Sequence, residues 1–393
     1  MAPLKSALIL DGASGAALAV MRSLGRAGWH LRVDAGTRSA RSRFAASTVE
    51  IPDCVADPAG FADAITGALE AKPTSVVVPC SDASVQMLWE NEQRLAGAAI
   101  MGGDRRSALL AIDKYRTLEQ ADRLGFPTPA WRAPGTMAEA RLALGELGLP
   151  CVVKPRHSFR LSGGSLVQRR HTFVRAPGEL EPAMLAGSDR DGQLPLLQAY
   201  VPGRAISVSA VVAAGRIVAA VARETLSFHP VPGGTSVWKR TIGLGDIGVE
   251  EALAFLRALR YEGLAEVEYQ VDAAGSPRLM EVGPRPHGWL ALACAAGVDL
   301  PLVAANILIG EPVPEQGAYR EGIEMRWPIG ELARMRDALK PHADLPPGTT
   351  RGQVLARSWP PWRPGMRYDN FDRTDPGPWV PQRLRRGNHR RAA

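Results

Sequence analysis

The sequence predicts a mixed α/β and α+β protein: an N-terminal parallel βαβ domain, two α+β lobes and a small C-terminal extension. Three observations predict it. Over residues 6–105, short apolar runs alternate with segments of helical period, the pattern of a parallel sheet with crossover helices. Further on, apolar strands turn back directly on one another, most plainly at Leu264–Val271 and Arg278–Val282, which is an antiparallel arrangement. The chain also has 393 residues, enough for two to three domains at roughly 150 residues each. Hydrophobic residues make up 46% and charged residues 22%, which suits a soluble globular chain and excludes disorder, collagen and coiled coil.

Taken in order, Ala7–Leu10 reads as a buried strand, followed by the loop Asp11-Gly12-Ala13-Ser14-Gly15 and a helix carrying Leu18, Met21 and Leu24. Phe61, Ile65 and Leu69 repeat the helical spacing, and Ser75–Pro79 is another short strand. The opening loop lacks the third glycine of a dinucleotide fingerprint and shows no clear acidic partner after a second strand, so a tight strand-to-helix turn is the preferred reading. Residues 106–195 form the next expected unit, with helices near Lys114–Leu124 and Ala138–Leu147 and the strand Cys151-Val152-Val153-Lys154 ended by Pro155. Residues 196–312 carry the strands Ile206–Ala213 and Ile217–Ala222, a helix near Val249–Leu259 and the hairpin already named. Residues 313–393, rich in Trp, Pro and Arg, read as a small lobe with an extended end.

The net charge of +7 is localised: residues 351–393 hold ten arginines and three aspartates, so the body of the chain is neutral. The basic pI therefore describes a tail and does not call for a nucleic-acid-binding body. Trp359, Trp362, Tyr368, Phe371 and Trp379 interleave with these arginines. That composition suits base stacking, but packing of the tail onto the body is the preferred reading. Cys54, Cys80, Cys151 and Cys294 are dispersed without metal-ligand spacing, as expected of reduced thiols in a cytoplasm. The first apolar run is too short for a secretory signal, and no segment reads as a membrane span. Arginine outnumbers lysine 41 to 6, so each remaining lysine marks a place where a compact ammonium is wanted.

The chemistry begins at the hairpin. Centred on Ala274–Gly275, it sets Glu268 opposite Glu281 on a face shared with Glu266 and Gln270. Carboxylates roughly 5 Å apart across a ladder repel one another, and either a divalent cation with oxygen ligands or neighbouring arginines must compensate. Lys154 ends a strand where loops meet a sheet, Lys114 starts a helix forty residues earlier, and Gly163-Gly164 lets backbone amides approach a phosphate.

In this order the motifs resemble the ATP-grasp superfamily over residues 4–312. They are Asp113-Lys114-Tyr115 with Gly125-Phe126-Pro127, Val152-Val153-Lys154-Pro155, Gln198-Ala199-Tyr200-Val201-Pro202-Gly203, and Met280-Glu281-Val282-Gly283-Pro284-Arg285. The resemblance implies a pre-ATP-grasp domain at 1–105, a central lobe at 106–195, a C-terminal lobe at 196–312 and an extension at 313–393. It implies ATP between the two lobes, with Lys114, Lys154, Gly163 and Gly164 at the phosphates and Gln198, Ala199 and Val201 at adenine. Glu268 and Glu281 would hold Mg2+, and Arg285 would face the transferred phosphoryl group or the acyl substrate. Arg223 and Lys239, flanking the Gly233-Gly234 loop, are candidates to grip the γ-phosphate or an acidic substrate; His287 is a candidate base, although packing is its preferred role.

Two positions depart from the family pattern. Gly283 stands where asparagine would be a third metal ligand, and Arg204-Ala205-Ile206 lacks the usual glutamate after the hinge. The expected activity is an ADP-forming ligase: a carboxylate is activated as an acylphosphate and joined to an amine or similar nucleophile. The alternatives are a catalytically degenerate ATP-binding protein and a bicarbonate-activating enzyme. The expected partners are small-molecule carboxylates and amines, with room for a homodimer and no membrane.

Overall fold

The structure is a computed structural model and describes residues 5–162, 165–189, 192–340, 345–364 and 366–379. Its N-terminal sheet is parallel, in the order β3-β2-β1-β4-β5, built from β1 (Ser6–Ile9), β2 (His30–Asp34), β3 (Ala45–Val49), β4 (Val76–Val78) and β5 (Ala99–Ile100). Helix α1 (Gly15–Arg26) packs on one face, and α2 (Pro58–Ala71) and α3 (Asp82–Glu90) on the other. Helix α1 starts where Ser14 accepts the Ala17 N–H at 3.0 Å, and it buries Leu18, Met21 and Leu24 as their spacing predicts. The acidic residue missing from the sequence reading of the second strand is present: Asp34 ends β2, and its Oδ1 accepts the Gly12 N–H at 2.8 Å. The carboxylate therefore closes the first turn upon itself.

After α4 (Arg105–Ala111) and α5 (Lys114–Arg123), a small lobe forms around an antiparallel sheet ordered β10-β7-β11-β6. Its strands are β6 (Trp131–Arg132), β7 (Cys151–Lys154), β10 (Thr172–Val174) and β11 (Leu196–Ala199), with a separate hairpin of β8 (Phe159–Ser162) and β9 (Ser165–Gln168). Helices α6 (Met137–Leu147) and α7 (Leu180–Gly187) cover it and share a core of their own with Val153, Val174 and Leu197.

The large sheet has seven strands, in the order β16-β15-β12-β13-β14-β17-β18. They are β12 (Arg204–Ala213), β13 (Arg216–His229), β14 (Thr235–Ile242), β15 (Gly263–Val271), β16 (Pro277–Gly283), β17 (Glu324–Arg326) and β18 (Arg367–Tyr368). Residues beyond 312, expected as an appended lobe, thus extend this sheet through β17 and β18. Helix α8 (Val249–Ala258) buries Phe255 and Leu256 on one face. Near α9 (Leu290–Ala296) and α10 (Leu300–Leu308), Val211, Val221 and Leu264 join the same core as α1 and β1. The N-terminal domain and the large sheet therefore share one core, whereas the small lobe keeps a separate one. Helices α11 (Pro328–Ala338) and α12 (Arg351–Ser358) pack on each other near the far edge.

The tail is fastened by charge more than by aromatic packing, contrary to the reading from composition. Arg22 donates from Nε to Asp375 at 2.8 Å, with both side chains enclosed, and from its other nitrogens to the carbonyls of Asn370 and Asp375. The Asp375 carboxylate also accepts from Ser42 Oγ and the Arg43 N–H. Trp359 and Trp362 remain 62% and 51% exposed, so their rings do not hold the tail down. Among the described residues, no single helix is long and apolar enough to cross a membrane.

Candidate active site

The cleft lies between the small lobe and the carboxylate-bearing end of the large sheet. Two of the scarce lysines reach it through one clasp. Asp113 caps α5 and receives Arg156 in a two-point contact, Nε at 3.2 Å and Nη2 at 2.6 Å. The Lys114 N–H donates to the Arg156 carbonyl at 3.0 Å. Because Arg156 follows β7 by two residues, this clasp fixes Lys114 relative to Lys154. Lys114 Nζ lies 3.2 Å from Ser158 Oγ and 3.9 Å from Glu281 Oε2. Lys154 is 9% exposed; burial lowers its pKa to about 8, with Glu281 opposing and Lys114 adding to the shift.

On the opposite wall, Glu268 and Glu281 are direct cross-strand partners. Their pairing depends on a bulge. From the turn outward Val271 faces Pro277 and Tyr269 faces Leu279, so unbroken register would set Glu268 against Met280. The register shifts after Tyr269, Met280 is passed over, and Glu281 moves into line. Burial and the neighbouring Glu281 and Glu266 push the Glu268 carboxyl up to about 8. Two hard-oxygen carboxyls that repel each other across a ladder suit Mg2+ chemically. Among the described residues no group of three His, Cys, Asp or Glu side chains is arranged to hold a metal. Gly283 supplies no third ligand, and a side-chain carbon there would meet only Glu266 at 3.9 Å, an ordinary contact.

The ladder carries a row across the floor: Glu281, Glu268, Ser207, Arg223 and Thr241 stand opposite one another from β16 to β14. Arg223 is therefore on the same floor as the acidic pair. It donates to Glu266 Oε1 at 3.2 Å and lies over the Trp289 ring. Glu266, which lines the cleft, was not singled out from the sequence; its place on the polar face of β15 was the available signal. The Trp289 indole N–H bonds it at 2.5 Å. Against burial, His287, Arg223 and this indole hold its carboxyl down at about 2.

Arg285 lines the cleft beside Glu281, and its Nε donates to Asp82 Oδ1 at 2.5 Å. Burial disfavours its charge, but Asp82 more than offsets this and raises its pKa. Asp82 begins α3 behind the Ser81 cap, and Asp11 anchors that turn by accepting from the Cys80 N–H and the Ser81 and Ser84 hydroxyls. The N-terminal domain thus contributes an acidic side chain to the cleft, a contact spanning 203 residues.

Gln198 sits on β11 beside the lysine strand, 1% exposed, and neither atom of its amide has a partner. An orphaned buried amide suits a ligand with matching polar edges, as adenine has. Ala199 ends β11 and Val201 follows it, both half-buried. Gly163 and Gly164 lie outside the described residues.

Lys239 is not brought to the open cleft. It is 1% exposed, its Nζ is ion-paired with Asp369, and the Ser236 carbonyl lies 3.5 Å away. The physical reason is the tail: β18 joins β17 beside β14 and carries Asp369 over the lysine. His287 is 1% exposed, donates to or accepts from Ser209 at 2.6 Å, and is stacked 4.4 Å from Trp289. Burial lowers its pKa to about 4, so it is neutral at pH 7, in keeping with a packing role.

A parallel N-terminal domain, two α+β lobes and a cleft pairing lysines with a carboxylate hairpin define a nucleotide-dependent enzyme of the ligase type. The chain belongs to the ATP-grasp superfamily. Residues 193–330 match the family described as ATP-grasp in the biosynthetic pathway with Ter operon. A D-alanine–D-alanine ligase of Stutzerimonas stutzeri (strain A1501) is 30% identical over 242 residues, covering 58% of this chain and 72% of that protein. The fold is similar to an ADP complex of N5-carboxyaminoimidazole ribonucleotide synthetase, with TM-score 0.63 and 15% identity over 91% of this chain and 96% of that one. It is also similar to a biotin carboxylase–β,γ-ATP complex from Campylobacter jejuni, with TM-score 0.66 and 17% identity over 81% and 74% of the two chains.

Proposed function

We propose that this protein is an ADP-forming ligase that activates a small carboxylate as an acylphosphate and joins it to an amine. The observation that carries the reading is the convergence of Lys114, Lys154, Glu268, Glu281 and Arg285 on one cleft. They are brought there by four segments of the chain: α5, β7, β15 and the stretch from β16 to Arg285.

ATP supplies the phosphoryl group, and Mg2+ neutralises phosphate charge. Glu268 and Glu281 are the residues that would hold the metal, and Gln198, Ala199 and Val201 those that would hold adenine. Lys114 and Lys154 place two ammonium groups against the acidic pair, where they balance negative charge on phosphates. Arg285 donates from Nε to Asp82 and from Nη1 to the Pro286 carbonyl, which fixes its guanidinium at the cleft wall, where its charge would serve the transferred phosphoryl group or the acyl substrate. In this arrangement the protein acts by positioning and electrostatics, with no side-chain nucleophile.

The test is ADP and phosphate release from MgATP with pooled carboxylates and amines, with products identified by mass spectrometry. We expect a condensation product and ADP in equal amounts, both lost in Lys154→Ala. Nucleotide binding without ADP formation from any pool would favour the degenerate ATP-binding alternative.

A further inference from the structure

Helix α11 is turned inside out. Its enclosed side carries charge: Glu331 and Arg334 are buried, and Arg326 of the adjoining β17 lies 3.8 Å from Glu331. Arg334 donates from Nη1 to Ser358 Oγ at 2.6 Å and to the Val354 carbonyl at 3.2 Å, so the polar side of α11 is the one fastened to α12. Its outer side is apolar. Ile329, Leu332 and Leu339 are 61%, 41% and 64% exposed, and together with Arg336 they fall within an arc of about 100° on a helix. From Ile329 to Leu339 the stripe runs about 15 Å. A surface helix buries such a stripe and gives its charges to water, whereas here the ion pair has taken the buried side.

Two indoles extend the stripe. Arg326 donates to the carbonyls of Arg357 and Pro360 at 2.9 and 2.7 Å, which brings the end of α12 against the start of α11. Trp359 and Trp362 follow α12 there, both more than half exposed. The charge around them has one sign. Over residues 328–340 and 345–363, Arg336, Lys340, Arg351 and Arg357 are exposed and Arg363 is half-buried, while the acids are the enclosed Glu331 and Asp337 alone. Asp337 is already paired with Lys340 at 2.7 Å.

We propose that the outer face of α11, with Trp359 and Trp362, docks this protein on an anionic lipid surface. The inference is independent of the ligase reading: nearly all of the face lies past residue 330, where the family match ends, and none of it lines the catalytic cleft. A lipid boundary accepts side chains that stand out from a helix without offering a fitted groove. Indole rings favour the level of the headgroups, and cations flanking a helix that lies in the interface meet anionic lipid. A second copy of the chain would bring like charge against like. A single-stranded nucleic acid would stack on the indoles but gain nothing from Ile329, Leu332 and Leu339. An acidic protein would have to supply a groove shaped to this ridge. Lying on a surface needs no spanning helix, and among the described residues no single helix is long and apolar enough to be one.

The test is sedimentation of the full chain with vesicles of phosphatidylglycerol and phosphatidylcholine in equal parts, against vesicles of phosphatidylcholine alone. We expect binding to the anionic vesicles, about tenfold weaker or worse without phosphatidylglycerol and weakened by salt. Ile329→Gln with Leu339→Gln should weaken it about tenfold, as should Trp359→Ser with Trp362→Ser. Arg336→Gln should weaken it about fivefold. These side chains are exposed and outside the cleft, so MgADP binding should stay unchanged in every variant.

Failure to bind anionic vesicles overturns the proposal, as does binding that all three variants leave unaltered. Binding lost only when residues 380–393 are removed belongs to the terminal arginines and overturns the face. Retention of poly-dT or polyglutamate without retention of vesicles overturns it in favour of a nucleic acid or an acidic protein. Dimerisation that Ile329→Gln with Leu339→Gln abolishes, in a chain that leaves vesicles unbound, overturns it in favour of a second copy.

Discussion

The proton on Glu268 should be displaced by magnesium. With its carboxyl raised to about 8 by burial and by Glu281 and Glu266, Glu268 is about nine-tenths protonated at pH 7 in the metal-free protein. A cation seated between Glu268 and Glu281 requires the ionised form, so binding at pH 7 should release about 0.9 proton. Apparent affinity at pH 7 is then about tenfold below its limit, equivalent to about 1.4 kcal/mol. It should fall about another tenfold at pH 6 and level off above about pH 9.

The same shift acts on stability. A carboxyl whose pKa is raised on folding, here from 4.5, favours the folded state through its protonated form. That contribution is complete below the ordinary value and is lost as pH rises through about 8. Metal-free protein should therefore lose stability between pH 5 and pH 8, and Mg2+ should restore it. The assay is calorimetric Mg2+ titration of ADP-saturated protein in two buffers of different ionisation enthalpy, repeated on Glu268→Gln. The variant should bind Mg2+ more weakly and release no proton. Proton release that persists in Glu268→Gln, or its absence at pH 7 in the wild type, would refute the reasoning.

Lys154→Ala should lower ADP formation by about a hundredfold or more while circular dichroism stays native, because its ammonium serves the phosphates rather than the core. Gly283→Asn should lower the Mg2+ concentration needed for half-maximal activity, since the added side chain has room beside Glu266 and supplies an oxygen; an unchanged requirement would exclude a role for that position in metal binding. Asp82→Asn should reduce kcat about tenfold or more with little change in ADP affinity, by releasing Arg285 from its fixed orientation, and Asp82→Glu should recover part of the loss. Arg22→Met should cost about 3–5 kcal/mol in urea unfolding, because it leaves Asp375 buried without its partner.

Much of this molecule follows from local pattern. The caps Ser14 and Asp113, the lysine at the end of β7 and the acidic face of β15 are fixed by periods of 3.6 and 2 and by side-chain chemistry within a few residues. Lys114 and Lys154, singled out by the scarcity of lysine, lie near one another beside Glu281, whereas Lys239, a candidate for its place beside the Gly233-Gly234 loop, is enclosed against Asp369, since neither signal tells what lies opposite a side chain. Strand parity placed Glu266 on the polar face without showing that an indole and a guanidinium would claim it.

Only the tertiary structure decided the rest. The bulge that passes over Met280 is needed to bring Glu281 opposite Glu268, and a bulge is set by how the hairpin packs rather than by its own pattern. Contacts that fix Arg285 in the cleft and the tail on the body join residues 203, 130 and 353 positions apart: Asp82 with Arg285, Lys239 with Asp369, and Arg22 with Asp375. A sequence states how many charges it has and which face of an element they occupy. Which charge neutralises which depends on the path of the tail across the N-terminal domain, and burial makes those choices matter, because an enclosed ion without its partner is costly.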